Sequence, residues 1–152
     1  MKKILFVINT MGQAGAETAM LGLMQRLLQM GEYQISLYVI LPQGELFGRL
    51  PAGVQLLNLH YSTESVLSPK GRLLLARSVL GVFFHHGTGF RHLGSIVANL
   101  STQKRTSGRI QIDKALWRLL ADAAPSPLET YDLAIAYIEG ASTYFLADKV
   151  RA

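Results

Sequence analysis

The sequence has no cysteine, so disulfides and thiolate metal sites are excluded, and the composition suits a reducing cytoplasm. Charged residues are scarce at 16%, against 49% hydrophobic, which excludes a disordered chain and leaves material for a buried core. No apolar run approaches the roughly 18 residues that cross a bilayer. The opening Met1-Lys2-Lys3 and Ile4-Leu5-Phe6-Val7-Ile8 resemble a signal peptide only at first sight. The run is short, and Asn9-Thr10 ends it with no small-residue cleavage site behind, so it reads as a buried first strand. There is no internal repeat and no low-complexity tract. At 152 residues the chain fits one domain.

Acidic residues are nearly missing from one stretch. Between Val66 and Arg118, nine basic residues (Lys70, Arg72, Arg77, Arg91, Lys104, Arg105, Arg109, Lys114 and Arg118) face Asp113 alone. That stretch carries +8 and the remainder −3, within a net charge of +5. A basic insert on a mildly acidic body is expected either to be a solvated face or to meet an anionic partner, phosphate or lipid. Nucleic acid is not the expected partner, because no aromatic residues interleave a basic patch.

The remaining pattern is that of a parallel α/β domain. Residues 4–8 form an apolar, β-branched run, as for a strand covered on both faces. Gly12 and Gly15 interrupt it, and from Ala16 the period turns helical, with Met20, Leu23, Met24, Leu27 and Met30 expected on one face. Glu17 falls in the first turn and Gly31 ends the helix. Residues 33–41 read as a second strand, 45–50 as a helical turn, 54–59 as a short third strand and 131–138 as a fourth. A last helix is expected over 141–150. Between strands three and four lies the insert, about 66–124, with helices expected at 69–84, 93–100 and 112–124. The predicted fold is a Rossmann-like parallel sheet of order 3-2-1-4, helices on both faces, with a helical insert between strands 3 and 4.

In such a sheet ligands bind where the strand order reverses, outside the carboxyl ends of strands 1 and 4. The residues due there are Gly12, Gly15, Ala16 and Glu17 after strand 1, and Glu139 and Gly140 after strand 4. Glycine permits close backbone approach, and a helix N-terminus offers free amides. Common phosphate motifs fail in detail. A dinucleotide fingerprint counted from Gly12 meets Ala14 and Glu17 where glycines belong, and Leu41-Pro42 stands where the ribose carboxylate should be. A P-loop needs Lys and Ser or Thr where Ala16-Glu17 follow Gly15.

The segment Lys3-Ile4-Leu5-Phe6-Val7-Ile8-Asn9, followed by Gly12-Gln13-Ala14-Gly15-Ala16-Glu17, resembles the start of family-4 glycosyltransferases of the GT-B fold. Ala14 replaces the first of the two glycines common there. Tyr131-Asp132-Leu133-Ala134-Ile135-Ala136-Tyr137-Ile138-Glu139-Gly140 is similar to that family's fourth strand and the loop after it, as is the trailing Thr143-Tyr144-Phe145-Leu146. The resemblance implies the acceptor-side part of an N-terminal Rossmann-like domain, spanning 1–152. It would work opposite a C-terminal donor-binding domain, taking a nucleotide sugar as substrate, with retention and no metal or other cofactor. Its acceptor would be a sugar or a lipid-linked sugar in polysaccharide or glycolipid synthesis.

On the same resemblance, Gly12, Gly15, Ala16, Glu17, Glu139 and Gly140 would bind the acceptor or the donor phosphate, and no residue is assigned to catalysis. The glutamates at 17, 32, 45, 64, 129 and 139 do not form the family's paired donor-side signature, so the chain alone is expected to be inactive. A nucleotide-dependent oxidoreductase or epimerase, or a non-catalytic binding fragment, is the alternative. The expected location is cytoplasmic, with peripheral contact to anionic lipid at the inner face of the membrane through the insert.

His85, His86 and His92 read as surface residues rather than metal ligands, because adjacent histidines diverge in direction and no carboxylate is near them in sequence. Strand 4 is expected at an open edge, prone to self-association.

Overall fold

The computed structural model describes residues 1–74, 76, 77 and 112–151, with side chains in the last stretch from residue 117 onward. Four parallel strands form one sheet of order β3-β2-β1-β4: β1 (Lys2–Ile8), β2 (Tyr33–Val39), β3 (Gln55–Leu56) and β4 (Leu133–Ala136). Helix α1 (Gly15–Gln29) connects β1 to β2, a 3-10 helix (Glu45–Arg49) lies between β2 and β3, and α2 (Ile112–Ala123) and α3 (Ala141–Lys149) flank β4 in sequence. This is an α/β Rossmann-like fold, with the strand order anticipated from the sequence.

The alternation of β1 explains the layers. Ile4, Phe6 and Ile8 point to one face with Ile35, Leu37 and Val39, where Met20 and Met24 of α1 and Leu46 and Phe47 of the 3-10 helix cover them. Leu5 and Val7 point to the other, with Tyr38, Leu120 and Ala121 of α2, and Phe145 of α3. Both faces of the central strand are therefore dry, as its unbroken apolar run requires. Phe145 stacks on Tyr38 with ring centroids 4.7 Å apart. Arg118 ties α2 to α3 through a 2.8 Å ion pair with Asp148 and a position over the Tyr144 ring.

Several boundaries differ from the sequence-based expectation. The buried stripe of α1 is Glu17, Met20, Leu21 and Met24, whereas Leu23 is 39% and Met30 59% exposed. Leu and Met occupy so many positions of this helix that the apolar period leaves its rotation open. The third strand shrinks to Gln55–Leu56, because the Asn58 side chain takes over the pairing: its Oδ1 accepts the Val39 N–H and its Nδ2 donates to the Val39 carbonyl. The fourth strand is limited to Leu133–Ala136; backbone bonds to β1 flank it, from the Asp132 amide to the Lys3 carbonyl and from the Tyr137 amide to the Val7 carbonyl, while the Tyr131 amide turns to the Arg151 carbonyl. β4 is a sheet edge among the described strands, and Leu133 there is 49% exposed.

Of the insert, residues 69–74 are helical, and Lys70, Arg72 and Arg77 are exposed beside exposed Leu67 and Leu73. The helix anticipated at 93–100 and the histidines at 85, 86 and 92 lie outside the described residues. Among the described residues no helix is long and apolar enough to cross a membrane.

Candidate functional site

The carboxyl end of β1 is held from both sides. Its ladder with β2 continues past the strand, with Ile40 N–H donating to the Ile8 carbonyl and Leu41 N–H to the Asn9 carbonyl, each at 2.9 Å. The following loop is fixed by its own backbone. Met11 N–H donates to the Gln43 carbonyl and the Met11 carbonyl accepts the Leu46 N–H, both at 3.0 Å. Gly44 makes that approach possible: its φ is +144°, and a Cβ there would lie 2.1 Å from the Met11 carbonyl. The Glu45 carboxylate accepts hydrogen bonds from the Ser65 side chain, chiefly, and from the amides of Glu45 and Gln13, which together hold its pKa below the usual carboxylate range. The loop carrying Gly12 and Gln13 is therefore pinned to the loop after β2.

Helix α1 starts without a side-chain cap. Its N-cap is Ala14, whose own amide turns back to the Gly12 carbonyl, and the first helical bond runs from Thr18 N–H to the Ala14 carbonyl. The amides of Gly15, Ala16 and Glu17 precede that bond and meet no acceptor among the described residues. Gly15 and Ala16 are exposed, whereas Glu17 is only 6% exposed. One carboxylate oxygen of Glu17, Oε2, is sealed from solvent with no hydrogen-bond partner.

The β4–α3 loop is brought to this corner by Asn9. Its Nδ2 donates to the Glu139 carbonyl and its Oδ1 accepts the Ser142 N–H, each at 2.9 Å. Asn9 thus caps α3 from a different strand, the role an N-cap side chain ordinarily plays from within the helix. Gly140 has φ +119°, and a Cβ on it would sit 3.0 Å from Asn9 Nδ2 and 3.5 Å from the Trp117 ring, so the position is shaped for glycine. Glu139 keeps an exposed carboxylate. The Ser142 hydroxyl donates to the Ile138 carbonyl and closes the same turn.

The β4–α3 loop is therefore tied to the carboxyl end of β1 through Asn9, directly before the loop that carries Gly12, Gly15, Ala16 and Glu17. Gly12, Gly15, Ala16 and Glu17 line the β1 side, and Glu139 and Gly140 the β4 side. Asn9 and Ser142 were missed. The signal for Asn9 was available: a lone amide ending a strand that is otherwise wholly apolar, in a position too buried to be solvated. Elsewhere on the carboxyl edge, an apolar groove of about 420 Å³ lies between β2 and α2, lined by Tyr38, Ile40, Leu57, Leu120 and Ala124 among others. Burial pushes the Tyr38 phenol up to about 12. Among the described residues no three His, Cys, Asp or Glu side chains gather as a metal set. No family model, curated protein or solved structure matches the chain.

Proposed function

We propose that this chain is the acceptor-side portion of a glycosyltransferase, one wall of a cleft in which a sugar passes from a nucleotide-sugar donor to a polysaccharide or glycolipid hydroxyl. The observation that carries the reading is the tie between the carboxyl end of β1 and the β4–α3 loop, where the Asn9 side chain holds the Glu139 carbonyl and the Ser142 amide. The two segments that resemble family-4 glycosyltransferases are remote in sequence, and they meet where a parallel sheet binds its ligands.

In the transfer itself, an acceptor oxygen forms a bond to the anomeric carbon, the bond from that carbon to the donor phosphate breaks, and the hydroxyl proton leaves. The residues of this wall bind and orient. Exposed Gly15 and Ala16 offer their amides as donors, while the exposed Glu139 carboxylate accepts from hydroxyls. Donor binding belongs to a second domain facing this one, so the chain by itself binds but does not transfer. Lys70, Arg72 and Arg77, beside exposed leucines, suit contact with an anionic lipid surface carrying a lipid-linked acceptor, on the cytoplasmic side.

The direct test is ligand binding by saturation-transfer NMR, with neutral saccharides in one arm and a nicotinamide dinucleotide in the other. Transfer to saccharide ring protons and none to the dinucleotide is expected. The reverse pattern would replace this reading with a nucleotide-dependent oxidoreductase, the class already disfavoured by Ala14, Glu17 and buried Leu41 in the fingerprint positions.

A further inference from the structure

Two separate segments build one face at the carboxyl edge of the sheet: residues 59–61, after β3, and residues 67–77, at the start of the insert. A crevice of about 190 Å³ lies where they meet, with Leu74 on one side and His60 and Tyr61 on the other. The second segment is fastened to the body. Gln43 Nε2 donates to the Gly71 carbonyl at 3.1 Å in a buried hydrogen bond, and Gly71 lies so close to the Ser65 carbonyl that a Cβ has no room. Tyr61 is anchored by stacking on Phe47, with ring centroids 4.6 Å apart. Yet the leucines of this face contribute nothing to the core. Leu59 is 92% exposed, Leu67 and Leu73 are exposed with it, and of residues 69–74 only Gly71 is buried. Lys70, Arg72 and Arg77 accompany them, against Glu64 alone. The apolar groove between β2 and α2 opens on the same face through Leu59 and His60.

Exposed aliphatic side chains among cations match the surface of an anionic bilayer. Leucines enter the acyl boundary, and long cationic side chains reach the phosphates. A protein partner favours a patch whose centre is depleted of charge. Single-stranded nucleic acid needs free aromatic faces, whereas Tyr61 is already stacked on Phe47. The amino edge offers the contrast: exposed Leu128 and Leu133 lie there beside Glu129 and Asp132, which anionic lipid repels. We propose that the face formed by residues 59–61 and 67–77 docks on an anionic lipid bilayer, with Leu59, Leu67 and Leu73 inserted. The four strands are parallel, so the loops after β1 and β4 share this edge, and docking turns both towards the lipid. The inference rests on the sugar-transfer reading only for what the docked edge meets, the head of a lipid-linked acceptor; the docking itself stands on this face.

The test is flotation of the protein with vesicles of mixed phosphatidylglycerol and phosphatidylcholine and with vesicles of phosphatidylcholine alone, repeated in high salt. Flotation with the anionic vesicles, little with the neutral ones, and weakening in salt are expected. Leu59→Ser and Leu73→Ser should each weaken binding about tenfold or more, the weight of a leucine side chain taken out of water. Leu128→Ser, at the opposite edge, should leave it unchanged. All three leucines are exposed in the free protein, so the variants keep the fold, as circular dichroism should confirm.

No flotation with either vesicle would overturn the docking, while saturation transfer to saccharides still tests the sugar-transfer cleft separately. Equal flotation with neutral vesicles would overturn the part given to the cations. Loss of binding with Leu128→Ser and not with Leu59→Ser would put the lipid on the amino edge and overturn the orientation. Retention on a single-stranded oligonucleotide in place of flotation would give the face to nucleic acid. A dimer in sedimentation that Leu59→Ser dissociates, again without flotation, would give it to a second copy of the chain.

Discussion

Replacing Asn9 with alanine should loosen the joint on which the site depends. The side chain makes two hydrogen bonds, donating to the Glu139 carbonyl and accepting from the Ser142 amide, both at 2.9 Å. Each is worth about 0.5–1.5 kcal/mol net. Ser142 is fully buried, so its amide would be left without solvent, at a further cost of about 1–3 kcal/mol. The expected loss is about 2–6 kcal/mol, a large part of the roughly 5–15 kcal/mol of a typical domain.

Asn9→Asp separates the two bonds. A carboxylate still accepts from Ser142 and complements the positive end of α3, but cannot donate to Glu139, so a loss of about 1 kcal/mol is expected. Urea unfolding supplies both numbers, with the slope unchanged if only the native state is affected. Hydrogen exchange at Ser142 should speed up in Asn9→Ala and far less in Asn9→Asp. Equal losses for the two variants, or a loss below about 0.5 kcal/mol for alanine, the range of an ordinary surface change, would refute the capping role.

Gly140→Ala forces a Cβ onto φ +119° and against Asn9 Nδ2, and should cost about 1–3 kcal/mol by the same unfolding measurement. Gly44→Ala should be worse than Gly140→Ala, because its Cβ would fall 2.1 Å from Met11 backbone atoms that cannot rotate away; little folded protein is expected on circular dichroism. Phe145→Ala empties a fully buried site stacked on Tyr38 and should cost about 3–5 kcal/mol in urea. Tyr38 has a raised folded pKa of about 12 against an ordinary 10.0, so its contribution is complete below pH 10 and is lost as pH rises towards 12. Up to about 3 kcal/mol should disappear over that window, and Tyr38→Phe should flatten this part of the stability–pH curve.

The architecture was legible because β1 states it plainly. Five consecutive apolar residues, a glycine-bearing break and a helical period can hardly be anything but a strand entering a two-faced sheet. Two kinds of feature escaped. The first is the phase of an apolar helix: Leu23 and Leu21 are alike in the sequence, and only the sheet beneath decides that Leu21 goes inward. The second is side chains that stand in for backbone. Asn58 ends β3 by imitating a peptide group towards Val39, and Asn9 caps a helix that begins about 130 residues later in the chain. Pairings of this kind depend on tertiary proximity and leave no local period. Of the site's glycines Gly140 was visible for the opposite reason, since its positive φ is a local demand that the chain meets with a particular residue type, whereas Gly12 and Gly15 have no positive φ and no neighbour closer than 4.0 Å to a Cβ.

The decisive measurement is a crystal structure of the protein soaked with a neutral saccharide. The sugar should lie at the carboxyl ends of β1 and β4, against exposed Gly15 and Ala16 and the Glu139 carboxylate. An ordered saccharide in the groove between Tyr38 and Leu120, with the α1 turn empty, would contradict a sugar-transfer site at this corner.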